Sequence, residues 1–469
     1  MQVIDGVESG LHTRWNRRLI GLVTVLVLVN FMVDTAITAP LIVLPQMLEH
    51  FGTDQAAWLN ASAMLAGAMW APLLGKSADV HGKRKILVLT LLISCAGALV
   101  CAVAPTTWAF VAGRLLQGSA VAALFLTVAI VRDVCAPRLA MVVVGIVTSG
   151  SAVLNIVSRF ATENLAAENG FQVLFVLSAA VAAAMALAVR AVVAESPITT
   201  PGRIDFGGAA LLGTGLIGVL SYISLGSELG WLEIGPLVLL IAGAAALARW
   251  WVVSARAEEP LIDVRGLGGP LLLTLLIVVL ATGSYQSMLQ LLPLVGDVPL
   301  SQGLGYGLAG QGSTAMLLAA PGVGVMIGGP LAGVLAARFG PVVTLAGAVA
   351  LGTIGTAGMF AGVGSFPTAL VFALLLGFTV GALGTSGFNV AGSLAPASQQ
   401  ATVSSLVMVV VAIGSVVFNF VGSAVLRATA LPAAYSGAGV FTYIAIASVA
   451  FGVSTALAVV LIRQRKSTR

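Results

Sequence analysis

The chain has 469 residues, of which 59% are hydrophobic and 8% charged, with a mean hydropathy of +1.08 and a formal net charge of +5. These values lie far outside the range of water-soluble domains and exclude a soluble globular enzyme. The excess of basic residues gives no reason to invoke nucleic acid, because anionic lipid headgroups suffice as its partner.

A helix needs about 20 mainly apolar residues to cross a hydrocarbon core roughly 30 Å thick. Fourteen such runs are predicted, the first seven at 19–45, 57–75, 86–104, 108–131, 139–160, 171–193 and 206–226. The second seven fall at 236–253, 270–295, 313–337, 341–363, 367–392, 401–426 and 440–462. The loops between them are short and leave no room for a soluble domain. The first run is too long for a signal-peptide core and no small-residue cleavage site follows it, so it is expected to be retained.

An even number of spans puts both termini on one face. Placing them in the cytoplasm puts nineteen of the 22 lysines and arginines inside, with only Arg114, Arg159 and Arg427 elsewhere. The positive-inside rule therefore predicts a multi-pass protein of a bacterial inner membrane with cytoplasmic termini. Cys95, Cys101 and Cys135 suggest no disulfide or metal framework and are expected to act as small apolar fillers. Gly75-Lys76-Ser77 imitates the end of a phosphate loop, but Trp70 stands where the upstream glycine is required.

The chain also repeats itself. PLLGKSADVHG at 72–82 aligns with PLAGVLAARFG at 330–340, and LLQGSAVAAL at 115–124 aligns with LLLGFTVGAL at 374–383. The first match pairs the second span with the tenth and the second pairs the fourth with the twelfth, so eight spans separate equivalent positions. A duplicated six-helix bundle with two helices inserted between the copies accounts for that spacing. The expected fold is an all-α polytopic membrane protein with a bundle at 1–195, an inserted pair at 196–265 and a second bundle at 266–469. Parallel repeats of this kind are a transporter architecture, with substrate held near the midplane between the copies.

GKSADVHGKRK at 75–85 resembles the loop signature of the major facilitator superfamily: a glycine, Ala-Asp, a second glycine and a basic cluster. RLLQGSAVA at 114–122 resembles the family's fourth-span pattern. GRIDFGGA at 202–209, GSELGW at 226–231 and EEPLIDVRGL at 258–267 resemble its fourteen-span drug:proton antiporter branch. The chain departs from the pattern in three places. Val80 follows the aspartate where the family often has arginine, the 145–160 segment lacks the branch's proline and paired glycines, and the first span lacks its asparagine.

Ionisable residues inside a span cost at least about 2.5–3.5 kcal/mol on insertion scales, so each is a candidate functional group. Asp34 lies eleven residues from the outer end of its span, roughly 16 Å deep. A carboxylate whose surroundings alternate gains and loses a proton as they do, which makes Asp34 the candidate for proton coupling. The other readings for it are attraction of a cationic substrate and a structural hydrogen bond. Arg114, about 9 Å below the outer end of the fourth span, is expected to adjust that aspartate, to bind an anionic group or to snorkel to the surface. Gly75, Asp79, Gly82, Lys83 and Arg84 form the candidate conformational loop, in which Asp79 can cap a helix N-terminus or pair with a cation. Gln117, Tyr285, Gln286, Gln290, Asn389 and Asn419 are candidate cavity residues, with interhelical packing as the alternative. Arg159 and Glu163, at i and i+4, form either a surface ion pair or an outer gate.

The resemblance implies a secondary-active, proton-coupled exporter of amphipathic or hydrophobic small molecules, as in drug or antibiotic efflux. Alternatives are an uncoupled or lipid-moving carrier and a non-transporting receptor or scaffold. No cofactor is expected beyond the proton gradient. The expected partners are the substrate, protons and membrane lipids, and a monomer is expected.

Overall fold

The computed structural model describes residues 11–53, 56–196, 199, 202–257, 260–262, 268–296, 298, 304–306, 313–429 and 436–467. Apart from one β-bridge between His12 and Cys135, the regular structure described is helical. The first part of the chain contains α1 (Arg17–Ile42), α2 (Leu44–Phe51), α3 (Ala56–His81), α4 (Lys83–Val103), α5 (Thr107–Gln117) and α6 (Val121–Val134). There follow α7 (Pro137–Ser149), α8 (Ser151–Asn169), α9 (Gln172–Val192), α10 (Phe206–Leu229) and α11 (Ile234–Arg256). The remainder contains α12 (Gly269–Gly296), α13 (Ser313–Phe339), α14 (Pro341–Gly362), α15 (Phe366–Leu394), α16 (Gln400–Ala428) and α17 (Gly437–Ser467).

Thirteen of the described spans are long and apolar enough to cross a membrane. The 26-residue helix α3 lies where the second of the fourteen expected spans is predicted. Polar side chains start several of these helices by taking amide protons that have no intrahelical acceptor. Asn16 accepts from Leu19 N at 2.8 Å, Thr106 from Ala109 N at 3.3 Å and Asp205 from Gly208 N at 2.7 Å.

The chain separates into two compact units. One comprises Met1–Val143, Leu154–Leu267 and Ala395–Val409; the other comprises Val144–Val153, Gly268–Leu394 and Val410–Arg469. In the first unit an apolar cluster gathers Met47, Leu59, Phe110, Phe171 and Phe175, with Phe110 and Phe175 edge to face at 5.2 Å. The inserted pair crosses itself where Gly218 and Gly243 bring the backbones of α10 and α11 together. Gly213 then seats α10 against Met69 of α3.

The second unit packs α13 against α15 with almost nothing between the backbones. A Cβ at Gly328 would run into the Phe378 carbonyl oxygen, and one at Gly377 into that of Pro321. Small residues at these crossings substitute close van der Waals contact for the hydrophobic drive that lipid does not supply. The internal repeat is visible in the backbone. Gly82 and Gly340, equivalent positions, both turn the chain with positive φ, at 101° and 92°. Pro72 and Pro330, also equivalent, both lie inside helices.

Candidate functional site

The loop signature becomes a set of contacts with separate physical causes. Gly75 and Asp79 are four residues apart on α3 and so share one face. Asp79 accepts hydrogen bonds from Ala401 N at 3.1 Å, Thr402 N at 2.8 Å and Thr402 Oγ1 at 2.7 Å. Its carboxylate therefore caps the first turn of α16, where unpaired amides and the helix dipole both favour an anion. Gly75 makes room for that turn, since a Cβ there would lie 2.9 Å from Ser405 Cβ and 3.1 Å from the Ala401 carbonyl oxygen. The sequence offers Asp79 a helix N-terminus or a cation, and its hydrogen bonds run to a helix N-terminus.

Of the basic cluster, Lys85 is exposed while Lys83 and Arg84 are held by partners. Lys83 is fully buried and its Nζ lies 2.7 Å from Asp133 Oδ2 and 3.3 Å from Ser196 Oγ. Ser196 Oγ also donates to Asp133 Oδ2. Arg84 forms an ion pair with Glu195 at 3.4 Å, and its backbone N–H donates to Glu195 Oε1 at 3.1 Å. Gly82 is required beside this pair: besides its positive φ, a Cβ there would come 2.6 Å from Glu195 Oε1. Lys83 and Arg84 thus tie the start of α4 to the C-terminal end of α6 and to the segment that follows α9. Asp133, Glu195 and Ser196 are absent from the residues singled out by sequence, because their partners are 50 or more positions away.

Deeper in the span, Asp34 is half-buried on α1 and accepts a hydrogen bond from Asn155 Nδ2 at 2.8 Å. Asn30, one turn earlier on the same face, accepts from Thr127 Oγ1 at 3.2 Å. Arg114 has no exposure to solvent, which overturns the snorkelling alternative. Its Nη1 donates to the Ala36 carbonyl oxygen at 2.9 Å and to Gln117 Oε1 at 2.7 Å, and Gln117 Nε2 donates to Ser178 Oγ at 3.2 Å. Among the described residues its Nε and Nη2 have no hydrogen-bond partner.

The contact with Ala36 follows from Pro40, which lies inside α1. Proline has no N–H, so the carbonyl four residues earlier loses its intrahelical donor, and that carbonyl belongs to Ala36. Arg114 supplies the donor. Arg114 reaches α1 because Gly97 and Gly113 let α4 and α5 touch; a Cβ on Gly97 would lie 2.6 Å from the Gly113 carbonyl oxygen. Positions 34 and 36 are about 200° apart around a helix with 3.6 residues per turn. Among the described residues the hydrogen bonds of Arg114 go to Ala36 and Gln117, not to the Asp34 side chain, and Asn155, which donates to Asp34, was not singled out by sequence.

The other candidates differ in burial. Gln117 and Asn389 are fully buried, Tyr285 is buried, Gln286 and Asn419 are half-buried and Gln290 is exposed. Asn419 Oδ1 is shielded and lacks a hydrogen-bond partner among the described residues. The side chains of Arg159 and Glu163 lie outside the described residues. In the second unit Thr148 and Thr385 hydroxyls meet at 3.1 Å beside the close approach of Gly145 to Gly329, a contact that sequence reading did not identify.

Comparison with known proteins agrees with this architecture. The chain is 28% identical over 324 residues to the uridine/deoxyuridine transporter of Lactococcus lactis subsp. cremoris, covering 66% of each protein. It is 28% identical over 349 residues to the multidrug resistance protein B homolog of Mycobacterium tuberculosis, covering 71% of this chain and 62% of that one. Both alignments thus span less than two thirds of the relative's length. The solved structure of the human organic anion transporter MFSD10 superposes with a TM-score of 0.64 at 18% identity, over 95% of this chain and 99% of that one, a likeness of fold. The family model described as Major Facilitator Superfamily matches residues 26–419. With that match over most of its length, the chain belongs to the major facilitator superfamily of transporters.

Proposed function

We propose that this transporter is a secondary-active exporter of amphipathic or hydrophobic molecules, of the fourteen-span drug:proton antiporter branch, that works by alternating access with Asp34 carrying the coupled proton. The observation that carries this reading is the half-buried carboxylate within the 26-residue apolar helix α1, hydrogen-bonded by the Asn155 amide. A carboxylate in such surroundings loads and unloads a proton as water reaches it from alternate sides. Arg114 holds the proline-interrupted part of α1, and Asp79 releases and recaptures the first turn of α16 during the cycle. One charge crossing 100 mV is worth about 2.3 kcal/mol, which supports roughly 50-fold accumulation. The distribution of basic residues supports a bacterial inner-membrane location with both termini in the cytoplasm.

The test is a drug-susceptibility panel in an efflux-deficient bacterium expressing the native chain or Asp34→Asn. Resistance to at least one amphipathic compound, lost in the variant, is expected. Equal susceptibility to every compound with either chain would remove the export reading. A second reading, transport of nucleosides, is favoured by the similarity to the uridine/deoxyuridine transporter. Uptake of labelled uridine above the vector control, with no change in drug susceptibility, would select it.

A further inference from the structure

A pocket of about 170 Å³ opens on the second unit, lined by α13, α14 and α15. Its wall includes Leu335, Phe339, Val343, Thr344, Leu351 and Phe378. Thr344 is the single polar residue among the lining positions, and its hydroxyl already donates to the Gly340 carbonyl oxygen at 3.0 Å. The wall's one hydroxyl proton is thus already used, and an almost wholly apolar lining calls for an occupant that brings apolar surface to it.

The mouth of the pocket is different. Phe339 and Val343 are exposed there, on either side of the turn at Gly340. The exposed Arg338 guanidinium sits 5.2 Å from the centroid of the Phe339 ring, a cation–π contact that keeps the charge at the rim. Arg338 is among the basic residues on the positive-inside face. From Thr344 to Leu351 the wall climbs seven residues along α14, about 10 Å at 1.5 Å per residue. The internal repeat sharpens the contrast. Lys83 and Arg84 follow the turn at Gly82 and are tied up in ion pairs, whereas Pro341 and Val342 follow the equivalent Gly340. In the second copy an apolar cleft with one cation at its mouth stands where the first has a polar lock.

We infer that this cleft binds an anionic glycerophospholipid of the cytoplasmic leaflet, with one acyl chain lying along α14 and the headgroup phosphate on Arg338. A single exposed cation over an apolar slot matches the charge and layout of such a lipid. A zwitterionic lipid gains little from Arg338, because its own cation competes for the phosphate. The inference does not depend on what the transporter carries.

The test is native mass spectrometry of the full chain released from micelles doped with phosphatidylglycerol or with phosphatidylcholine of the same acyl chains. Two variants separate the halves of the site. Arg338→Gln removes the rim charge. Gly347→Leu fills the slot, and a Cβ at Gly347 meets open space, so the backbone can accommodate it. Phosphatidylglycerol retention is expected to fall about fivefold in Arg338→Gln, the loss of one interfacial charge. It is expected to fall comparably in Gly347→Leu, with phosphatidylcholine retention unchanged by Arg338→Gln. Loss in Arg338→Gln alone would mean a headgroup at the surface with no seated chain, and unchanged retention in both would mean no lipid site; either overturns the inference. A gel-filtration profile matching the native chain certifies that each variant is folded.

Discussion

Arg114 and Ala36 are joined because a proline one turn away leaves Ala36 without its helical partner: the guanidinium donates to the orphaned carbonyl oxygen at 2.9 Å. A buried unsatisfied acceptor costs about 1–3 kcal/mol, and the arginine removes that cost while holding α1 to α5. Pro40→Ala restores a backbone donor to Ala36, so Arg114→Met should destabilise the Pro40→Ala background less than the native one. A double-mutant cycle on thermal unfolding in detergent should show coupling of about 1 kcal/mol or more. Strict additivity would mean the carbonyl does not depend on Arg114.

Asp79 and the first turn of α16 form a helix cap of the strong, charge-assisted kind. Replacing the aspartate with alanine removes the acceptor for the Ala401 and Thr402 amides, at a cost of about 1–2 kcal/mol. Hydrogen exchange at those two amides should then quicken by about tenfold, the factor that 1.4 kcal/mol represents. Unchanged exchange would show that the cap is not held by Asp79.

Lys83 and Asp133 form a buried ion pair, so losing one member is worse than losing both. Lys83→Met or Asp133→Leu alone should cost about 3–5 kcal/mol, read as a lowered melting temperature and poor yield. The double variant Lys83→Met/Asp133→Leu should recover most of that loss. If the double variant is as unstable as the sum of the singles, the pair does not act as a unit.

Cys135 lies just past the C-terminal end of α6, and burial pushes its thiol up to about 12. The backbone of His12 covers it through bonds to Val134 O at 2.8 Å and from Ala136 N at 2.9 Å. Since the thiolate is the reactive form, maleimide near neutral pH should leave Cys135 unlabelled in the folded protein. Labelling should appear after unfolding, or when residues before Asn16 are removed. Rapid labelling of the intact folded chain would contradict this packing.

The architecture was largely legible in the chain, and the site only in part. Spans declare themselves through the length of apolar runs, and the repeat through Pro72, Gly82, Pro330 and Gly340, which constrain the backbone directly. Asp34 and Arg114 stand out because charge in an apolar run is costly. Their partners do not stand out. Asn155 is neutral, the Ala36 carbonyl is backbone, and Asp133 and Glu195 sit at span ends where charge is cheap. Lys83 reads as a solvated loop cation because nothing near it in sequence announces a partner 50 positions on.

The most direct test of proton coupling through Asp34 uses purified protein in liposomes with a pH-sensitive dye inside and ethidium as the transported cation. With the native chain, an imposed pH gradient should accelerate ethidium movement and ethidium movement should carry protons the opposite way. Asp34→Asn should abolish both effects while ethidium exchange at equal pH persists. A variant that responds to the gradient as the native chain does would contradict the coupling role of Asp34.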